Sequence, residues 1–227
     1  MITGLEMSTT RKTTFSKAKE AVRNGELRVP RQKRSRDRVG AILGAARELI
    51  GEKGSSGLKI HEIAERANVT AGSMYQYFPN KGAIVHALAA GYFDQFQRLI
   101  EESMVKQPND VDDAIRILNT LLERFMQVNR DDSVLRDIWL SVSTDKTIRE
   151  LEIRSSDENA ETIFEAFKHL FPKKRWEDVR RYIMLIVQIT PVAIRLSLSE
   201  DGSESQQYVS ITQRLIDVSF RDWARTD

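Results

Sequence analysis

A chain of 227 residues, 41% hydrophobic and 30% charged, holds enough apolar material for one large or two small cores and has the balance of a soluble globular protein. It has no cysteine, which excludes disulfides and thiolate chemistry and leaves zinc only His and carboxylate ligands; this suits a reducing, cytoplasmic setting. The net charge is only +2, yet residues 1–38 carry eleven Lys/Arg against four Asp/Glu, so a +7 end precedes a −5 body, as expected where one end meets a polyanion.

Residues 1–35 lack hydrophobic periodicity and read as a disordered basic arm, with a transient helix around Ser16–Arg23 and a second possible start at Met7. From Arg38 to Lys53, Val39, Ile42, Leu43, Ala46, Leu49 and Ile50 recur at helical spacing, and Gly54 closes the helix. A second short helix, 60–67, buries Ile60, Ile63, Ala64 and Ala67. A third, capped at Thr70 and stopped by Pro79, turns Met74 and Phe78 inward and presents small residues, two tyrosines and Gln76 outward. A helix that short does not hold itself together in water, so its neighbours must brace it. Helix, tight turn, short helix with a polar, aromatic outer face is the outline of a helix-turn-helix reader of the DNA major groove.

Asn80 caps a fourth helix of roughly 39 Å, running to about Lys106. Further helices are predicted over 111–129, 133–142, 145–171, 175–199 and 204–225. No segment alternates as a strand does, so the fold is all-α with about nine helices. The expected domains are the arm (1–35), a DNA-binding unit (36–82) and a helical ligand and dimerisation unit (83–227). The run Tyr182–Leu198 is broken by Gln188, Thr190, Pro191, Arg195 and Ser197, short of the roughly 20 apolar residues of a membrane span, so no membrane partner is expected. Pro191 removes one helical hydrogen bond and predicts a kink.

The order Val39-Gly40-Ala41-Ile42-Leu43-Gly44-Ala45-Ala46-Arg47-Glu48-Leu49-Ile50, then Gly54, Glu62-Ile63-Ala64-Glu65-Arg66-Ala67-Asn68-Val69 and Gly72-Ser73-Met74-Tyr75-Gln76-Tyr77-Phe78-Pro79-Asn80-Lys81 resembles the DNA-binding domain of the TetR family of bacterial transcription regulators. The likeness covers about residues 38–88; beyond it, only helix number, helix length and the apolar C-terminal pair agree. The resemblance implies a homodimer, usually a repressor, that binds double-stranded DNA at a palindromic operator and releases it when a small molecule enters the C-terminal domain. It places Thr70, Gly72 and Ser73 at the opening of the recognition helix, Tyr75, Gln76 and Tyr77 against bases and backbone, and Lys81 on phosphate; as a helix N-terminus, Thr70, Ala71 and Gly72 can bring backbone amides close to phosphate. Where the family usually has Ser or Thr at the start of the second helix, this chain has Lys59, which keeps a phosphate partner but makes it a charge.

Each position also has a plainer reading. Gly72 costs about 1 kcal/mol of helix propensity relative to Ala, either for close approach to DNA or as turn punctuation. Gln76 can pair bidentately with adenine, or be a solvated side chain. Tyr75 suits a thymine methyl or a phosphate, Tyr77 a phosphate or the core. Lys59 and Lys81 position the protein on phosphate if they are more than surface charges. The arm, with Arg31, Lys33, Arg34, Arg36 and Arg38 nearest the domain, suits the adjacent minor groove or mere solubility.

Leu118, Leu122, Phe125, Met126, Trp139, Ile163, Phe164, Phe167, Tyr182 and Gln188 are the candidate effector pocket, each equally readable as core; such a lining suits an apolar or aromatic compound. Ile183, Val187, Ile194, Tyr208, Ile211, Leu215 and Val218 are the candidate dimer contacts, since two apolar C-terminal helix pairs make a four-helix interface. His61-Glu62-x-x-Glu65 is half a zinc-protease motif without its second His, and no catalytic constellation stands out, so neither an enzyme nor a cofactor is expected. The alternatives are an activator or ligand-independent regulator of the same fold and, from another class, a helical interaction adaptor.

Overall fold

The computed structural model describes residues 33–199 and 205–224. The expectations for Met7, Ser16–Arg23 and Arg31 lie outside the described residues. Among those that are described there are nine α-helices and no strand: α1 (Lys33–Lys53), α2 (Ile60–Arg66), α3 (Ala71–Tyr75), α4 (Lys81–Ser103), α5 (Val111–Asp131), α6 (Ser133–Thr144), α7 (Lys146–Phe167), α8 (Trp176–Ser199) and α9 (Ser205–Ala224). Short 3-10 turns at Lys168–Leu170 and Lys173–Arg175 separate α7 from α8. The all-α reading holds. Helix α1 starts five residues before the predicted Arg38, because apolar spacing marks only the part of a helix that packs.

The helix ends follow from local chemistry. Gly54 adopts φ 77°, a left-handed conformation that costs glycine nothing, and its amide closes α1 on the Ile50 carbonyl at 2.8 Å. Asn68 does the same for α2 with φ 51°. Around it the Val69 amide donates to the Ala64 carbonyl (2.9 Å) and the Asn68 amide to the Glu65 carbonyl (3.0 Å), the paired bonds of a Schellman ending. This turn sets the entry into α3. Side-chain caps start the later helices: Asn80 Oδ1 accepts from the Ala83 amide at 2.9 Å, and Asp110 Oδ1 from the Asp113 amide at 2.8 Å.

The chain forms two compact units. One comprises the described residues up to Gln95 together with Ser133–Leu151; the other comprises Phe96–Asp132 and the described residues from Glu152 onward. The division differs from the expected cut after residue 82, since α6 and the start of α7 join the first unit. In that unit α1 buries Ile42, Ala45, Ala46, Leu49 and Ile50, α2 buries Ile63 and Ala64, and α3 buries Met74. Helix α1 packs on both α2 and α6. The Ser55 amide donates to Asp137 Oδ2 (2.6 Å), and Phe93 meets Trp139 with ring centroids 5.5 Å apart.

In the second unit α9 lies along α8 and α5. Its inward stripe is Val209, Thr212, Ile216 and Phe220, at helical spacing. Phe220 sits edge-on to Phe167 and Phe171 at 6.1 and 5.3 Å. Pro191 lies inside α8, which is one helix from Trp176 to Ser199. Lys173–Leu198 is long and apolar enough to cross a membrane by length and composition, which the reading of 182–198 missed. Its inward residues Val179, Ile183 and Ile186 belong to the core of this unit.

Candidate nucleic-acid interface

The candidate surface is built on α3. Thr70, its N-cap, has extended backbone (φ −71°, ψ 150°), and its hydroxyl oxygen accepts from the Ser73 amide at 3.2 Å. The helix is shorter than expected: Gln76 is its C-cap, although the Phe78 amide still reaches the Met74 carbonyl at 2.9 Å. Met74 and Phe78, 0% and 2% exposed, fasten it from behind. That burial, not propensity, keeps so short a helix in place.

Ala71, Gly72, Tyr75 and Gln76 are all exposed, and their spacing places them on one outward face. Tyr75 is 54% exposed, a large area for an aromatic ring. A Cβ added at Gly72 would meet nothing within 4 Å. The fold therefore does not need glycine there for space; any such need comes from outside. Lys59, the α2 N-cap, has no side-chain capping bond, and both it and Lys81 are exposed. Lys81 Nζ donates to the Ser56 carbonyl at 3.3 Å, which holds its ammonium beside the loop that leads into α2.

Ser73 and Tyr77 are less open than Tyr75 and Gln76. The Ser73 hydroxyl is buried without a hydrogen-bond partner among the described residues and its amide is taken by Thr70, so the side chain is not offered outward. The Tyr77 hydroxyl accepts from Ser35 Oγ at 2.9 Å, and the ring is half-buried. This bond ties α1 to the end of the reading segment, and spacing could not reveal it because the partners are 42 residues apart. Arg34, Arg36 and Arg38 are exposed on the first turns of α1. Most acidic groups near α2 are paired: Lys53 binds Glu62, and Arg66 binds Glu52 with its second contact at 3.1 Å. Each partner's hydrogen bond holds the Glu62 and Glu52 carboxyls below their usual range.

The second unit contains a half-open cavity of about 70 Å³. Of the expected pocket residues, Leu118, Leu122, Phe125 and Ile163 line it. Met126 packs beside Leu122, Ile194 and Val209. The other five are elsewhere: Trp139 packs tilted against Phe93 in the first unit, Phe164 meets Trp176, Phe167 is fully buried, and Tyr182 donates its hydroxyl proton to the Leu215 carbonyl, while Gln188 is half-buried on α8. Asn159 and Thr190, which sequence reasoning missed, also line the cavity.

The dimer candidates divide in the same way. Ile183 and Ile194 are 2% and 1% exposed within their own chain, Val187 lines the cavity and Tyr208 is half-buried. Ile211, Leu215 and Val218 face out from α9, and Leu185, Val192 and Leu196 face out from α8. Both helices are apolar on two sides, and periodicity does not say which side the chain itself covers. Among the described residues, no group of His and carboxylates is placed to hold a metal ion.

Two family models match the chain: "Bacterial regulatory proteins, tetR family" over residues 42–88 and "Tetracyclin repressor-like, C-terminal domain" over residues 112–218. The chain belongs to the TetR family. Members of that family are DNA-binding transcription regulators, not enzymes, and the first match spans the helix-turn-helix described above. The chain is 34% identical over 73 residues to the transcriptional repressor KstR of Rhodococcus jostii (strain RHA1), covering 32% of each chain. It is 35% identical over 65 residues to the transcriptional regulator AcuR of Cereibacter sphaeroides, covering 29% of this chain and 30% of that one. The alignments thus span about a third of these curated relatives. Among solved structures, a TetR-family transcriptional regulator from Streptomyces coelicolor superposes with a TM-score of 0.60 at 21% identity, covering 83% of this chain and 98% of that one. RolR in complex with its ligand resorcinol gives 0.59 at 17%, covering 86% and 96%. At such identities the likeness is one of fold.

Proposed function

We propose that this TetR-family chain is a homodimeric repressor of a palindromic operator, released by a small apolar or aromatic effector. The observation that carries the DNA reading is the exposed face of α3. An aromatic ring, a carboxamide and a glycine open on its outer side stand together there, with Thr70 at the cap and the Lys59 and Lys81 ammonium groups on the same unit. Gln76 serves base reading and Tyr75 a thymine methyl or a phosphate, while Thr70, Lys59 and Lys81 serve phosphate. Tyr77 acts through its bond to Ser35, holding α1 and the reading segment in register.

The exposed apolar faces of α8 and α9 support self-association, because a twofold axis buries the same patch on both copies. The apolar cavity supports an effector of small size; RolR, similar in fold, is named with the aromatic ligand resorcinol. An effector acts by favouring a dimer whose two reading faces are no longer about 34–36 Å apart, one duplex turn. A shift of roughly 5.5 kcal/mol takes DNA occupancy from nearly full to nearly empty.

The test is selection of bound fragments from random duplexes by the full-length protein, repeated with cell extract present. The expected product is an inverted repeat whose recovery falls when extract is added. Recovery of no common sequence at low salt refutes the reading.

A further inference from the structure

The cavity in the second unit has an uneven chemistry. Nine of its eleven lining residues are aliphatic or aromatic, and none is charged. A charged ligand would lose its hydration there with nothing to replace it, so the occupant is neutral at the buried end. The two polar side chains are Asn159 and Thr190. The Thr190 hydroxyl is committed, donating to the Ile186 carbonyl at 2.7 Å. Asn159 is 6% exposed, and its Oδ1 has no hydrogen-bond partner among the described residues.

Asn159 belongs to a buried polar seam on α7, with Glu152, Ser155 and Ser156 one and two turns before it. Ser156 donates to the Glu152 carboxylate at 2.8 Å; Asn159 is the member of the seam that lines the cavity. Asn159 Oδ1 is therefore an acceptor on the cavity wall without a donor among the described residues. An unsatisfied buried acceptor is costly, and a ligand that brings a donor recovers that cost on binding.

We propose that Asn159 is the polar anchor of this cavity and that its ligand is a small, neutral, mostly hydrocarbon molecule bearing a hydroxyl, which donates to Asn159 Oδ1. A cavity of about 70 Å³ takes the hydroxyl-bearing end, and the remainder extends to the half-open mouth. The inference rests on the effector reading above but concerns only what the cavity binds.

The test uses the full-length protein with phenol, toluene and anisole, which share a ring and differ in the hydroxyl proton. Affinities are read by calorimetry, with DNA absent. Phenol is expected to bind about tenfold or more tightly than either other probe. Asn159→Leu should abolish that preference while its circular dichroism stays helical. Equal affinities for the three probes, or no binding of phenol to the unaltered protein, overturns the proposal without need of the variant. A phenol preference that persists in a folded Asn159→Leu protein overturns it as well. Operator release is scored separately by fluorescence anisotropy of labelled DNA. Phenol that binds through Asn159 yet leaves DNA bound upholds the anchor and refutes only the effector reading. Release by other compounds, with no phenol preference, does the reverse.

Discussion

Replacing Ile211, Leu215 and Val218 together with serine tests the face on which dimerisation depends. These side chains are 55%, 45% and 57% exposed on α9, so that share of each awaits cover. Full burial of such a side chain stabilises by about 1.5–3 kcal/mol. Scaled by the exposed fractions, the three contribute roughly 2–5 kcal/mol per protomer, and a twofold axis counts them twice. Lost translational freedom is common to both proteins and cancels in the comparison. The dimer dissociation constant should therefore rise at least about a thousandfold. Sedimentation equilibrium across micromolar concentrations measures it, with circular dichroism as the control for folding. The inward residues Val209, Ile216 and Phe220 are untouched, so the helical signal should persist. A triple variant that remains dimeric where the unaltered protein is dimeric refutes the assignment of this face.

Gly72→Ala should raise thermal stability by up to about 1 kcal/mol through helix propensity, since its Cβ meets nothing within 4 Å, while weakening operator binding at least about tenfold. Unchanged or tighter DNA binding would show that no phosphate approaches closely there. Gln76→Ala should relax preference at one or two base pairs at a cost of about 1–3 kcal/mol, read by competition among single-base operator variants. Equal loss on every sequence would argue against base reading. Lys81→Ala should weaken binding to all duplexes and lower the slope of log affinity against log salt by about one; an unaltered slope removes Lys81 from the phosphate contacts.

Much of the first unit was legible because local chemistry encodes it. Gly54 needed its left-handed conformation, Thr70 and Asn80 offered capping oxygens, and Met74 and Phe78 stood one turn apart. The second unit was less legible. Asn159 lay in what reads as a weak polar stretch of α7, and nothing in its neighbours marks it as buried beside a cavity. Trp139 read as a pocket aromatic, yet it packs against Phe93.

The amino-acid sequence alone determined the helices, the caps at Thr70 and Asn80, the turn at Gly54 and the outward face of α3, because 3.6-residue periodicity, caps and left-handed turns act within a few neighbours along the chain. Only tertiary structure decided that Ser35 holds Tyr77, that Ser73 turns inward, and that Ile183 and Ile194 serve their own core while Ile211 and Leu215 do not. A helix apolar on two sides has two equivalent ways to face its neighbours, and contacts between residues distant in the chain choose between them.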